Sequence, residues 1–167
     1  MLENFYPDEY VDSAYSIDYQ KLYDRGYRGL LFDIDNTLVP HGAPADERAI
    51  AFFRHLREIG FSSCFLSNNQ KERVEPFARQ VKERFLENAH KPSVKGYQKA
   101  MQLLGTDRTN TVFIGDQIFT DVYGAKRAGL YSFLVKPIHP REEIQIVLKR
   151  KLEKPILMLY ERKKAKS

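Results

Sequence analysis

From residue 28 onward, apolar runs alternate with amphipathic stretches. The run RGLLFDI (28–34) is apolar on successive positions, as in a strand buried on both faces. PADERAIAFFRHLREIG (44–60) then reads as a helix, with Ile50, Phe53 and Leu56 on one face and Gly60 as its stop. FSSCFLS (61–67) predicts a second strand. QKERVEPFARQVKERF (70–85) predicts a helix with Val74, Phe77, Ala78 and Val81 as its apolar stripe, and a short strand is expected over Leu86 to Ala89. SVKGYQKAMQLLG (93–105) reads as a helix capped by Ser93 and stopped by Gly105. TVFIGD (111–116), FTDVYGAKRAG (119–129) and LYSFLV (130–135) predict strand, helix and strand. REEIQIVLKRKLEK (141–154) is a basic amphipathic helix with Ile144, Val147, Leu148 and Leu152 along one side, which Pro155 ends or kinks.

Strands alternating with helices imply an α/β fold: a single Rossmann-like domain whose mainly parallel sheet carries helices on both faces. A chain of 167 residues holds one domain with a full core. We divide it into an N-terminal arm (1–27), a core (28–136) and a basic helical tail (137–167). The arm holds six of the ten tyrosines, Tyr6, Tyr10, Tyr15, Tyr19, Tyr23 and Tyr27, irregularly spaced, and is expected to pack on the core.

Composition narrows the setting. A lone Cys64 rules out an internal disulfide, fits a reducing compartment and reads as a small core residue. MLENFYPDEY lacks the pattern of a secretory signal, and no apolar run is long enough to span a membrane. A cytoplasmic protein, or one peripheral to a membrane, is expected. The net charge is +5, yet residues 149–167 carry eight basic and two acidic side chains, so the rest of the chain is close to neutral. The basic character belongs to the tail, which is either a solvated terminus or a patch for an anionic surface.

In a parallel α/β sheet the functional crevice lies beyond the carboxyl ends of the strands. Four polar clusters stand there in order: Asp33-Ile34-Asp35-Asn36-Thr37, Ser67-Asn68-Asn69, His90-Lys91-Pro92, and Gly115-Asp116 with Asp121 five residues on. Asp33 and Asp35 point to the same side of an extended chain, where two carboxylates repel and lose hydration. A hard divalent cation makes the pairing tolerable, and Mg2+ takes carboxylate, water and phosphate oxygens. Asp33 and Asp116 are the natural metal ligands, with Asp35 beside them. Lys91 brings positive charge to a phosphate; Ser67 and the amides of Asn68 and Asn69 bring neutral donors. Asp33 is placed to attack phosphorus as a carboxylate nucleophile, and Asp35 to protonate the leaving alcohol and then deprotonate water. Thr37 is expected to orient Asp33, and Asp121 to hold metal-bound water or Lys91.

DIDNT, Ser67, Lys91 and GDQIFTD resemble, in this order, the four motifs of the haloacid dehalogenase superfamily of phosphatases. The resemblance spans residues 33–121 and implies a Mg2+-dependent phosphomonoester hydrolase working through an aspartyl-phosphate. Lys95 and Lys99 rival Lys91, but the family's lysine often precedes proline near the third strand. Aspartate at position 35 resembles the hydrolases and speaks against a dehalogenase. The intervals 37–67 and 67–91 are too short for a cap domain, so an open site is expected, suited to bulky substrates or covered in an oligomer.

The Tyr-rich arm, FDIDNTLVP, LSNN, AHKPS and IGDQIFTDVYGAKRAG look like subfamily IIIA and its YqeG-type branch. Mitochondrial relatives of that branch are phosphatidylglycerophosphate phosphatases, which implies an anionic phospholipid as substrate and membrane contact through the basic tail. The alternatives are a soluble phosphomonoester, a nucleic-acid end and a non-catalytic binding module. No nucleic-acid-reading motif supports the second, and the intact catalytic set speaks against the third.

Overall fold

The structure is a computed structural model describing residues 1–138 and 144–167. Among the described residues, six strands form one sheet: β1 (Glu9–Val11), β2 (Gly29–Phe32), β3 (Ser62–Leu66), β4 (Arg84–Leu86), β5 (Thr111–Gly115) and β6 (Tyr131–Val135). Their order is β1-β6-β5-β2-β3-β4, and every pairing is parallel. The helices are α1 (Tyr19–Asp24), α2 (Glu47–Ile59), α3 (Lys71–Val81), α4 (Val94–Leu104), α5 (Tyr123–Arg127) and α6 (Ile144–Ala165), with a π-helical turn over Ile118–Val122.

The two-residue period of the strands divides the core. Leu30 and Phe32 of β2 face the layer of α1, α2 and α3, packing with Leu22, Phe53 and Phe77. Leu31 between them faces α4 and α5, with Tyr97, Met101 and Ala125. Both faces of β2 are thus apolar, which is why its sequence runs without alternation. Cys64 is buried in the second layer, and burial pushes its thiol up to about 12, as suits a packing residue. The chain leaves β2 toward β3 on one side and returns to β5 on the other, so a crevice opens between the loops that follow β2 and β5. No further domain interrupts the chain there: α2 alone joins β2 to β3, and α3 alone joins β3 to β4.

Three local expectations are corrected. The arm is more than packing, since Glu9–Val11 adds an edge strand beside β6. Helix α3 stops at Val81 because Lys82 takes a left-handed backbone, with φ 60°, so the next strand starts earlier than expected, at Arg84. Helix α6 runs through Pro155 to Ala165. The proline forfeits one backbone bond, but Ile156 and Tyr160 are buried against the core and anchor the helix just beyond it. Of the expected tail stripe, Val147, Leu148 and Leu152 all face solvent, while the side chain of Ile144 and residues 141–143 lie outside the described residues.

Candidate active site

The loop after β2 explains the residue choice in DIDNT. The amides of Thr37 and Leu38 both donate to the Ile34 carbonyl, at 3.1 and 3.0 Å. This tight turn puts Asn36 at φ 60°, a conformation asparagine tolerates better than most residues. The Tyr15 hydroxyl of the arm donates to the Leu38 carbonyl at 2.6 Å and braces the loop from behind.

Asp33, Asp116 and Asp121 converge at the crevice. Each offers a carboxylate oxygen within 4.8 Å of the others, and all three are buried. Lys91 Nζ lies 2.7 Å from Asp121 Oδ1 and 3.3 Å from Asp33 Oδ1. Burial lowers the pKa of the Lys91 ammonium, but Asp121 and Asp33 more than offset it and raise it. The rival lysines, Lys95 and Lys99, are exposed on α4. Burial raises the pKa of Asp33 well above the usual carboxylate range, Lys91 opposes this, and the neighbouring aspartates reinforce it. Burial raises Asp116 too, against Arg150. The cluster is therefore short of positive charge, and its donors are all hard oxygens, so these residues fit a divalent cation.

The π-helical turn brings Asp121 back under β5. Its Oδ2 accepts from the amides of Asp116 and Gln117, each at 3.1 Å, while Oδ1 takes Lys91. A side chain at Gly115 would run into this carboxylate, which accounts for glycine before Asp116.

A family model described as haloacid dehalogenase-like hydrolase matches residues 41–129. Over 165 residues the chain is 34% identical to the Bacillus subtilis protein named "Probable phosphatase YqeG", covering 98% of this chain and 96% of that one. The chain belongs to this family. It is a hydrolase of the phosphatase type. It is also 27% identical, over 158 residues, to an Arabidopsis thaliana protein named phosphatidylglycerophosphate phosphatase 1, chloroplastic/mitochondrial, covering 88% of this chain and 45% of that one. Two solved structures share the fold. An uncharacterized protein from Corynebacterium glutamicum has a TM-score of 0.55 at 19% identity, covering 78% of this chain and 96% of that one. A hypothetical protein from Xanthomonas campestris has a TM-score of 0.57 at 13% identity, covering 78% and 76%.

Ser67, Asn68 and Asn69 line the pocket of this hydrolase with Asp33 and Lys91, while Asp35 and Thr37 make other contacts than the sequence reading gave them. Asp35 lines the pocket but is not in the carboxylate triad where a metal ligand was expected. Its Oδ1 accepts from the Gly42 amide at 2.7 Å and from Arg73 Nε and Nη2 at 3.1 and 2.9 Å, and its Oδ2 from Asn69 Nδ2 at 2.6 Å. These donors turn its carboxylate toward α3. Thr37 donates to Asp116 Oδ1 at 3.0 Å, so it orients that aspartate and not Asp33. Ser67 lines the pocket and accepts from the Asn69 amide at 3.1 Å. Asn68 brackets Lys91: its Nδ2 donates to the Lys91 carbonyl at 3.1 Å, and its Oδ1 accepts the Lys91 amide at 2.7 Å. It sets the backbone that carries the lysine.

Sequence reasoning missed Arg73, Arg150 and Glu153. Arg150, from α6, donates to both the carbonyl and the Oδ2 of Asp116. Glu153, one turn on, accepts from the Ile118 amide at 2.8 Å, capping the π-helical turn. Burial pushes the Glu153 carboxyl up to about 7 against the pull of Arg150. Ile146 and Lys149 of the same helix line the pocket. Arg73 falls on the i+6 position from Ser67, a spacing with no local meaning until α3 starts after Gln70.

Proposed function

We propose that this phosphatase is a Mg2+-dependent phosphomonoester hydrolase that works through an aspartyl-phosphate on Asp33. Its proposed substrate is a phosphomonoester on an anionic glycerophospholipid headgroup, of the phosphatidylglycerophosphate type. The carrying observation is the cluster of Asp33, Lys91, Asp116 and Asp121 at an uncapped crevice. Asp33, Asp116 and Asp121 are the residues that would hold the cation. When bound, it supplies positive charge to the phosphoryl oxygens and brings Asp33 to its ionised form.

In this reading Lys91 and the donors around Ser67 and Asn69 orient the phosphoryl group against Asp33. An Asp33 oxygen bonds to phosphorus as the bond to the alcohol oxygen breaks, and Asp35 gives that oxygen its proton. Asp35 then takes a proton from water, whose oxygen bonds to phosphorus as the bond to the Asp33 oxygen breaks, which frees inorganic phosphate and the Asp33 carboxylate. Asp121 holds Lys91 throughout, and Thr37 and Asn68 are positioning residues for Asp116 and Lys91.

Three things support the lipid reading. The site is open, the Arabidopsis relative carries that activity in its name, and basic α6 borders the pocket. The test is phosphate release with Mg2+ from phosphatidylglycerophosphate in mixed micelles, against soluble sugar, nucleotide and protein phosphomonoesters, with Asp33→Asn as control. Preference for the lipid is expected. Preference for one soluble ester keeps the chemistry and removes the lipid.

A further inference from the structure

Helix α6 carries two apolar stripes, and the fold uses only one. Ile156 and Tyr160 are buried on the inner side of the helix, Ile156 with Ile118, Val122 and Leu134, and Glu153 is buried one turn before them. Leu148, Leu152 and Leu159 recur at i, i+4 and i+11, and are 56%, 66% and 41% exposed. At the helical pitch this second stripe lies roughly a quarter of the way round from the first. A packed helix has no need of three exposed leucines in line.

The surroundings of the stripe are basic. Lys151, Arg162 and Lys166 are exposed along its solvent side. On its other side Lys163 pairs with Glu3, which brings the N-terminal turn alongside, and there Met1 is fully exposed and Leu2 is 47% exposed. Exposed leucines bordered by cations match an anionic bilayer, whose interior takes the apolar groups while its headgroups take the charges. A second copy of the chain would set these cations against one another.

We infer that the Leu148–Leu152–Leu159 flank of α6, together with Met1 and Leu2, is a surface that inserts into an anionic lipid bilayer. The inference rests on the lipid reading of the site for its purpose, since Lys149, next to Leu148 in the chain, lines the pocket. Contact along this flank brings the pocket mouth to the headgroups.

The test is flotation of the full chain with vesicles of phosphatidylcholine alone or with phosphatidylglycerol added, without turnover. The wild type should bind the phosphatidylglycerol vesicles at least about tenfold better. The variant Leu148→Glu, Leu152→Glu, Leu159→Glu should lose that binding, yet keep its circular dichroism and its hydrolysis of a small soluble phosphomonoester. Lys151→Gln, Arg162→Gln, Lys166→Gln should weaken binding and reduce its salt dependence. Equal binding by the glutamate variant, or no binding by the wild type, overturns the inference. So does a wild-type dimer in sedimentation that the glutamate variant dissolves, which would make the flank a self-interface. Vesicle binding without lipid hydrolysis would leave this surface standing and remove the substrate reading instead.

Discussion

Lys91 Nζ lies 2.7 Å from Asp121 Oδ1, closer than its 3.3 Å to Asp33 Oδ1. The lysine is thus anchored mainly by a residue that also grips the amides of Asp116 and Gln117. One carboxylate fixes both the lysine of the site and the loop bearing Asp116. Asp121→Asn should lower kcat by roughly 10²-fold, the scale of losing one oriented charge partner, with a smaller change in KM. Steady-state kinetics on the folded variant checks this. A change confined to KM would give Asp121 a substrate-binding role instead.

The carboxylate triad should cost the apo protein stability in a pH-dependent way. Burial first, and then Asp121, Asp116 and Asp35, raise the pKa of Asp33 in the folded state. The folded chain therefore keeps a proton that the unfolded chain releases, and stability falls as pH rises above the ordinary carboxylate range. A neutral amide at this position mimics the protonated acid. Asp33→Asn should abolish turnover but raise the melting temperature in EDTA, more at pH 8 than at pH 5. About 1 kcal/mol corresponds to about 2–4 °C for a domain of this size. Thermal melts at the two pH values decide it.

Arg73 and Asn69 hold the Asp35 carboxylate away from the triad. Proton delivery to a leaving alcohol requires Asp35 to release at least part of that grip. Asp35→Asn should lower kcat on alkyl phosphates by roughly 10²–10⁴-fold, the usual range for general acid–base catalysis. Arg73→Ala should cost less, about tenfold, and shift the pH profile of kcat. An unchanged profile would leave Arg73 a merely structural partner of α3.

Chelation should stop the reaction and Mg2+ should restore it; activity indifferent to EDTA would remove the metal assignment. Arg150 already contacts Asp116, the residue that would share its charge with the cation. Arg150→Ala should therefore tighten Mg2+ or Mn2+ binding severalfold in calorimetry, because removing a neighbouring positive charge favours another cation. Thr37 still orients Asp116 in that variant.

From residue 28 onward, the order of strands and helices and the four polar strand ends were legible because each depends on local pattern, whereas the edge strand Glu9–Val11 in the arm was not. Period, turn residues and sequence order suffice to place Asp33, Ser67, Lys91 and Asp116 at one edge of a parallel sheet. The roles inside the cluster were less legible. Asp33 and Asp35 stand two apart and both read as metal ligands in the sequence, yet one joins the triad and the other turns to Arg73. Thr37 sits four residues after Asp33 but bonds Asp116, 79 positions away.

The C-terminal helix marks the division most sharply. Its basic, apolar composition could be read directly, but its two faces could not, because Ile156 and Leu152 are equally apolar. Only packing against Ile118, Val122 and Leu134 separates a buried stripe from an exposed one. Local sequence thus determined which elements form and which chemistry stands at their ends. The tertiary structure decided which carboxylates share a site and which face of α6 meets solvent, since like charges and apolar side chains are sorted by long-range contacts.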